Sequence, residues 1–133
     1  MKFAVSSENT GKVIYIDTEG SFVPVRLQTM AMAADDHYQN KSHQNETSPE
    51  VIEQILKNVM YFRCVNVAEL LACLIQLKPI LYAERNVRLI ILDSLAHPIR
   101  SLNATDHLLR HKYIVRIMTV LQKIAFDLNC AVS

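Results

Sequence analysis

Val13-Ile14-Tyr15-Ile16-Asp17-Thr18-Glu19-Gly20 opens on four branched or aromatic apolar residues and closes on two acids and a glycine. A second stretch repeats the pattern, with Leu89-Ile90-Ile91-Leu92 running into Asp93-Ser94. Runs of this kind fit strands buried on both faces, as in parallel sheets. In such sheets ligands bind at the carboxyl ends of the strands. If both strands are parallel, Glu19 and Asp93 lie on one rim.

Helical spacing fills the segments on either side. Ser21 to Ala34 reads as a helix with Phe22, Val25, Met30 and Ala33 among its apolar positions, Met30 and Met32 serving as packing residues. Asp35 to Thr47 is polar and without period, the composition of a surface loop or disordered insertion. Ser48-Pro49-Glu50 is a strong helix start: serine caps, proline suits the first helical position, and glutamate suits the positive end. Val51, Ile52, Ile55 and Leu56 then share one face. Val59 to Cys64 reads as a short strand. Asn66 with Glu69 resembles a capping box before an apolar stripe of Val67, Leu70, Leu71, Leu74 and Ile75. Pro79 is expected to bend or end that helix. Ala96 to Thr105 contains Pro98 and is expected to break regular structure. A long amphipathic helix follows from about Asp106 to Leu128, and Cys130-Ala131-Val132 starts a further strand. The alternation predicts an α/β fold, a mainly parallel sheet flanked by helices, with right-handed crossovers.

Half of the 133 residues are hydrophobic and a fifth are charged, which allows one domain with a core and argues against overall disorder. The net charge is +1, but between Arg85 and Lys123 seven Lys or Arg face only Asp93 and Asp106. That segment reads either as a solvated helix face or as a basic surface for an anionic partner such as nucleic acid. Cys64, Cys73 and Cys130 form no C-x-x-C pair and sit among apolar residues, as buried free thiols in a reducing compartment do. No run approaches the ~18 apolar residues of a membrane span, and the N-terminal apolar run is too short for a secretory signal. An intracellular protein away from membranes is expected. His107 and His111 are four apart on the predicted helix. The residues between them lack the glutamate of a zinc-protease motif, so a solvated face is preferred to a metal site.

Chemistry concentrates at the two acidic strand ends. Hydrolysis of a nucleoside triphosphate needs magnesium, an oriented water and positive charge around the phosphates. Asp93 is placed to hold magnesium directly or through water, and Glu19 to orient or deprotonate the attacking water. The competing reading is that each acid merely caps the next helix.

Val13 to Phe22, followed by Arg26-Leu27, resembles the segment of eukaryotic RecA-type DNA recombinases that carries the catalytic glutamate. Met60-Tyr61-Phe62-Arg63-Cys64 and the helix through Glu69-Leu70-Leu71 look like that family's next strand and helix. Leu89 to Ser94 looks like its Walker B strand. The Tyr61-Phe62-Arg63-Cys64 element and Ala96-His97-Pro98-Ile99-Arg100 resemble the paralogue branch labelled C. The resemblance runs from about Gly11 to Val132. It implies a RecA-like ATPase core acting in homologous recombination and DNA repair, in the nucleus and also the cytoplasm, with ATP and magnesium as cofactors. Its partners would be other recombinase paralogues and single-stranded or branched DNA. On matching positions Glu19 would be the catalytic carboxylate and Asp93 the magnesium-associated acid acting through water. Arg100 and Arg110 would be candidate DNA contacts near the first DNA-binding loop.

The phosphate loop G-x-x-x-x-G-K-[ST] that should precede the first strand does not occur in these residues. Thr10-Gly11-Lys12-Val13 lacks the first glycine and the Ser/Thr, and its lysine enters a strand. The expectation is an incomplete core, residues 1–133 forming one partial domain with an insertion at about 35–47, which binds ATP poorly alone. The alternative is a non-catalytic module that assembles with other recombinase paralogues.

Overall fold

The computed structural model describes residues 11–39, 49–84, 86–102 and 106–133. In chain order its elements are β1 (Lys12–Asp17), α1 (Pro24–Gln39), α2 (Pro49–Lys57), β2 (Val59–Arg63), α3 (Val67–Ala83), β3 (Val87–Asp93), α4 (Ala96–Arg100), α5 (His107–Leu128) and β4 (Ala131–Val132). They group into two compact units, one built from the chain up to Ser21 with Met60–Ser133, the other from Phe22–Val59.

The first unit is organised by a four-stranded sheet in the order β2-β1-β3-β4. β1 and β3 are parallel, with Ile14 opposite Ile90 and Asp17 opposite Asp93, and β3 and β4 are parallel as well. Side chains alternate along a strand, and burial follows that alternation. Ile14, Ile16 and Ile90 are fully buried, whereas Val13, Tyr15, Leu89 and Ile91 keep part of their surface. The apolar runs are therefore unequally buried rather than sealed on both faces. Val67, Leu70, Leu74, Leu77 and Leu81 recur at helical spacing along α3, and Ile117, Leu121 and Ile124 along α5; with the sheet isoleucines they form one core. Burying a side chain of this size contributes ~1.5–3 kcal/mol.

Caps fix where the helices begin and end. Asn66 Oδ1 accepts from the Glu69 amide at 2.9 Å, and Glu69 reaches back to the Val65 amide at 2.7 Å, so the expected capping box forms one residue wide of its usual closure. Asp106 caps α5 through the Leu109 amide at 2.8 Å, and Asn129 ends it in the left-handed region at φ 49°.

Three expectations are corrected. α3 does not end at Pro79 but runs to Ala83, because buried Leu77 and Leu81 hold the turns on either side of the proline. Ala96–Arg100 is helical despite Pro98, which sits in the first turn where amides lack intrahelical acceptors anyway; Pro98 and Ile99 are buried. In the second unit, α1 continues to Gln39, since Met30-Ala31-Met32-Ala33-Ala34 favours helix and neither glycine nor proline interrupts Asp35 to Gln39. Val25, Met30 and Met32 of α1 are exposed rather than packed, and Ala31 is buried. α2 buries Ile52 and carries a Glu53–Lys57 ion pair at 2.7 Å that holds the Glu53 carboxyl below its usual value. The rest of the polar stretch (40–47), the Ser48 cap and Arg85 lie outside the described residues.

Candidate functional site

At the carboxyl ends of β1 and β3 the parallel register sets Asp17 beside Asp93. Asp17 is fully buried, and its carboxylate organises the adjoining turn. Oδ1 accepts from the amides of Glu19 at 2.9 Å, Gly20 at 2.6 Å and Ser21 at 3.4 Å, and Oδ2 accepts from the Tyr61 hydroxyl at 3.0 Å. Arg63 lies 3.9 Å from Oδ1 and donates to the Asp17 carbonyl at 3.0 Å. A buried carboxylate is tolerated only when it is bonded in this way. Gly20 adopts φ +79°, and a Cβ there would meet the Arg63 guanidinium at 3.2 Å, so glycine serves both the turn and the arginine.

Thr18, also fully buried, clasps the two strand ends together. Its amide donates to the Asp93 carbonyl at 2.7 Å. Its hydroxyl donates to the Ser94 carbonyl at 2.6 Å and accepts from the Ser94 amide at 2.9 Å. The Asp93–Ser94 peptide is cis. Ser94 Oγ donates to Glu19 Oε1 at 2.7 Å, and Arg100 on α4 approaches the same oxygen at 3.9 Å. Asp93 Oδ2 accepts from the Tyr15 hydroxyl at 2.6 Å and from Ser21 Oγ at 3.2 Å. Burial, then the bond to Asp93 and the charges of Asp93 and Asp17, push the Tyr15 phenol up to about 12. Tyr15 therefore remains a donor throughout the neutral range. Burial and the bond to Asp17 push the Tyr61 phenol up as well.

The arrangement thus contains three carboxylates with different tasks. Asp17 is consumed by the turn, Asp93 is held by two hydroxyls on one oxygen, and Glu19 is partly exposed and anchored through Ser94. The family model described as Rad51 matches residues 4–133. The chain belongs to the Rad51 family. "DNA repair protein RAD51 homolog 3" of Cricetulus griseus is 36% identical over 97 residues, covering 68% of this chain and 26% of that relative. The protein of the same name from Dictyostelium discoideum is 33% identical over 127 residues, 92% of this chain and 33% of the relative. "DNA repair and recombination protein RadA" of Metallosphaera sedula is 28% identical over 92 residues, 69% of this chain and 24% of the relative. The chain spans about a third or less of the length of these relatives. The likeness to homolog 3 agrees with the branch suggested by Tyr61-Phe62-Arg63-Cys64 and by Ala96 to Arg100.

Within this Rad51-family chain Glu19, Asp93 and Arg100 come together at one strand-end rim. Arg110 does not join them. It donates from Nη2 to the Leu102 carbonyl at 2.8 Å, and its Nε is buried without a hydrogen-bond partner. Among the described residues no three His, Cys, Asp or Glu side chains cluster as a metal site, and no helix is long and apolar enough to cross a membrane. His107 and His111 are exposed. Sequence reasoning overlooked Asp17, Thr18, Tyr15, Ser21 and Tyr61. Only Asp17 carried a signal, an aspartate three residues before a glycine, which is the spacing of a side-chain-capped turn.

Proposed function

We propose that this chain is part of a recombinase-paralogue ATPase core that serves DNA repair by homologous recombination in the nucleus. The pairing of Asp17 with Asp93 across β1 and β3 carries the reading, because it brings Glu19 and Ser94 into one hydrogen-bonded rim. Glu19 is the carboxylate that orients and deprotonates the attacking water, and Ser94 aims it by donating to Oε1. Asp93 would hold magnesium through a bound water, which suits an ion that keeps most of its waters. When bound, magnesium neutralises charge on the ATP phosphates.

These residues do not include a phosphate cradle. Lys12 is a strand residue whose ammonium pairs with Glu84 at 2.6 Å, so it is directed away from that task. Arg100 and Arg110, with the basic stretch around them, are contacts for the phosphates of single-stranded or branched DNA. Other recombinase paralogues are the protein partners.

The test is to join the phosphate-loop segment of a homolog 3 relative to the N-terminus of this chain and measure ATP turnover with single-stranded DNA. The expected result is DNA-stimulated turnover that falls about a hundredfold or more in Glu19→Gln, the usual contribution of a general base. Equal turnover in Glu19→Gln would refute the assignment.

A further inference from the structure

Cys64, just after β2, and Cys73, on α3, pack at the same edge of the core, near enough for each thiol to influence the other. Both line the same open cavity of about 360 Å³, whose wall also includes Arg63, Glu69, Gln76 and Ile80. Cys64 is buried and Cys73 is half-buried, while Cys130 stands outside this cavity. The sequence shows three scattered thiols; the fold brings two of them to the wall of one cavity.

The surroundings narrow what such a pair can take. Glu69 offers no third ligand, because both of its oxygens are engaged at the head of α3, one by the Val65 amide and the other by the Asn66 side chain at 3.0 Å. Two sulfurs without further donors do not suit zinc, which takes four ligands in structural sites. A disulfide requires thiolate attack, and burial pushes the Cys73 thiol up to about 12 and raises Cys64 as well, so thiolate is scarce at neutral pH.

We propose that Cys64 and Cys73 form a dithiol site for trivalent arsenicals of the R–As(OH)₂ class. In this exchange two S–H and two As–O bonds break, two As–S bonds form, and each thiol proton leaves with a hydroxide as water. Arsenic stays trivalent and no electron is transferred. The adduct is neutral, so two neutral thiols in a partly buried wall become a neutral dithioarsinite with no charge left behind. The bridging atom also spans the two sulfurs without drawing them to the ~2.05 Å of a disulfide.

The probe is phenylarsine oxide, titrated into the 133-residue chain and followed by intact-mass spectrometry. One phenylarsenic group per chain is expected, displaced by a small dithiol but retained against an equal concentration of a monothiol. Binding to Cys73→Ser should weaken about a hundredfold or more, the advantage of engaging two linked groups over one. Cys130→Ser should bind as the parent does. Cys64→Ser should behave like Cys73→Ser; because Cys64 lies in the core, circular dichroism is recorded for each variant, and the half-buried Cys73 decides the question if Cys64→Ser fails to fold. No adduct on the folded parent, an adduct mapping to Cys130, or unweakened binding by Cys73→Ser would each overturn the proposal.

Discussion

Tyr15 and Asp93 join two kinds of chemistry in one bond of 2.6 Å. Burial first, and then the bond to Asp93, raise the phenol's pKa from 10.0 to about 12. A group whose folded pKa is raised contributes stability below its unfolded value and loses it as pH climbs through the folded value. Urea unfolding at a series of pH values should therefore show Tyr15 supporting the fold fully below pH 10 and progressively less between pH 10 and about 12. Tyr61 and Tyr82 are shifted the same way, so Tyr15→Phe should reduce the alkaline decline without removing it. An unchanged decline would separate Tyr15 from Asp93. The strand ends at Asp17 and Asp93 were legible because an acid after four apolar residues marks such an end, with Glu19 two residues beyond Asp17. The bonds that Asp17, Thr18 and Tyr15 make were not, because a strand run says nothing about which side chains meet across the sheet. Only the register, with Asp17 opposite Asp93, makes Thr18 a clasp and Tyr15 a donor.

The strands and helices follow the apolar spacing closely, and two of the three departures concern proline. β3 spans Val87–Asp93 as read, and α5 begins after Asp106 as its cap requires. Proline was the misleading letter. At Pro98 it occupies a first turn, where its missing N–H costs little, and at Pro79 tertiary burial of Leu77 and Leu81 overrides it. Pro79 still denies the Ile75 carbonyl its intrahelical amide and crowds it. Replacing the exposed Pro79 with alanine should raise unfolding stability by ~1–3 kcal/mol, part of the full proline penalty being offset by the freer unfolded chain. A loss of stability in urea titration would mean that Pro79 itself helps to seat α3 on the core.

At the scale of the whole molecule, the described residues bring Glu19, Asp93, Ser94 and Arg100 to one strand-end rim. The parallel β1–β3 pair, the Thr18 clasp and the Ser94–Glu19 bond form one hydrogen-bonded rim. The backbone amides and lysine that would cradle phosphates are not among these residues, and Lys12 is already paired with Glu84. Family membership was legible from ordered motifs along the chain, whereas the division of labour among three carboxylates emerged only from their bonds. The proposed reading gives Glu19 and Asp93 catalytic roles, in a stretch of 133 residues that does not include a phosphate-binding loop. ATP turnover by the 133-residue chain, measured with and without single-stranded DNA, tests this directly. The account predicts no turnover above background in either condition; robust turnover that vanishes in both Glu19→Gln and Asp93→Asn would contradict it.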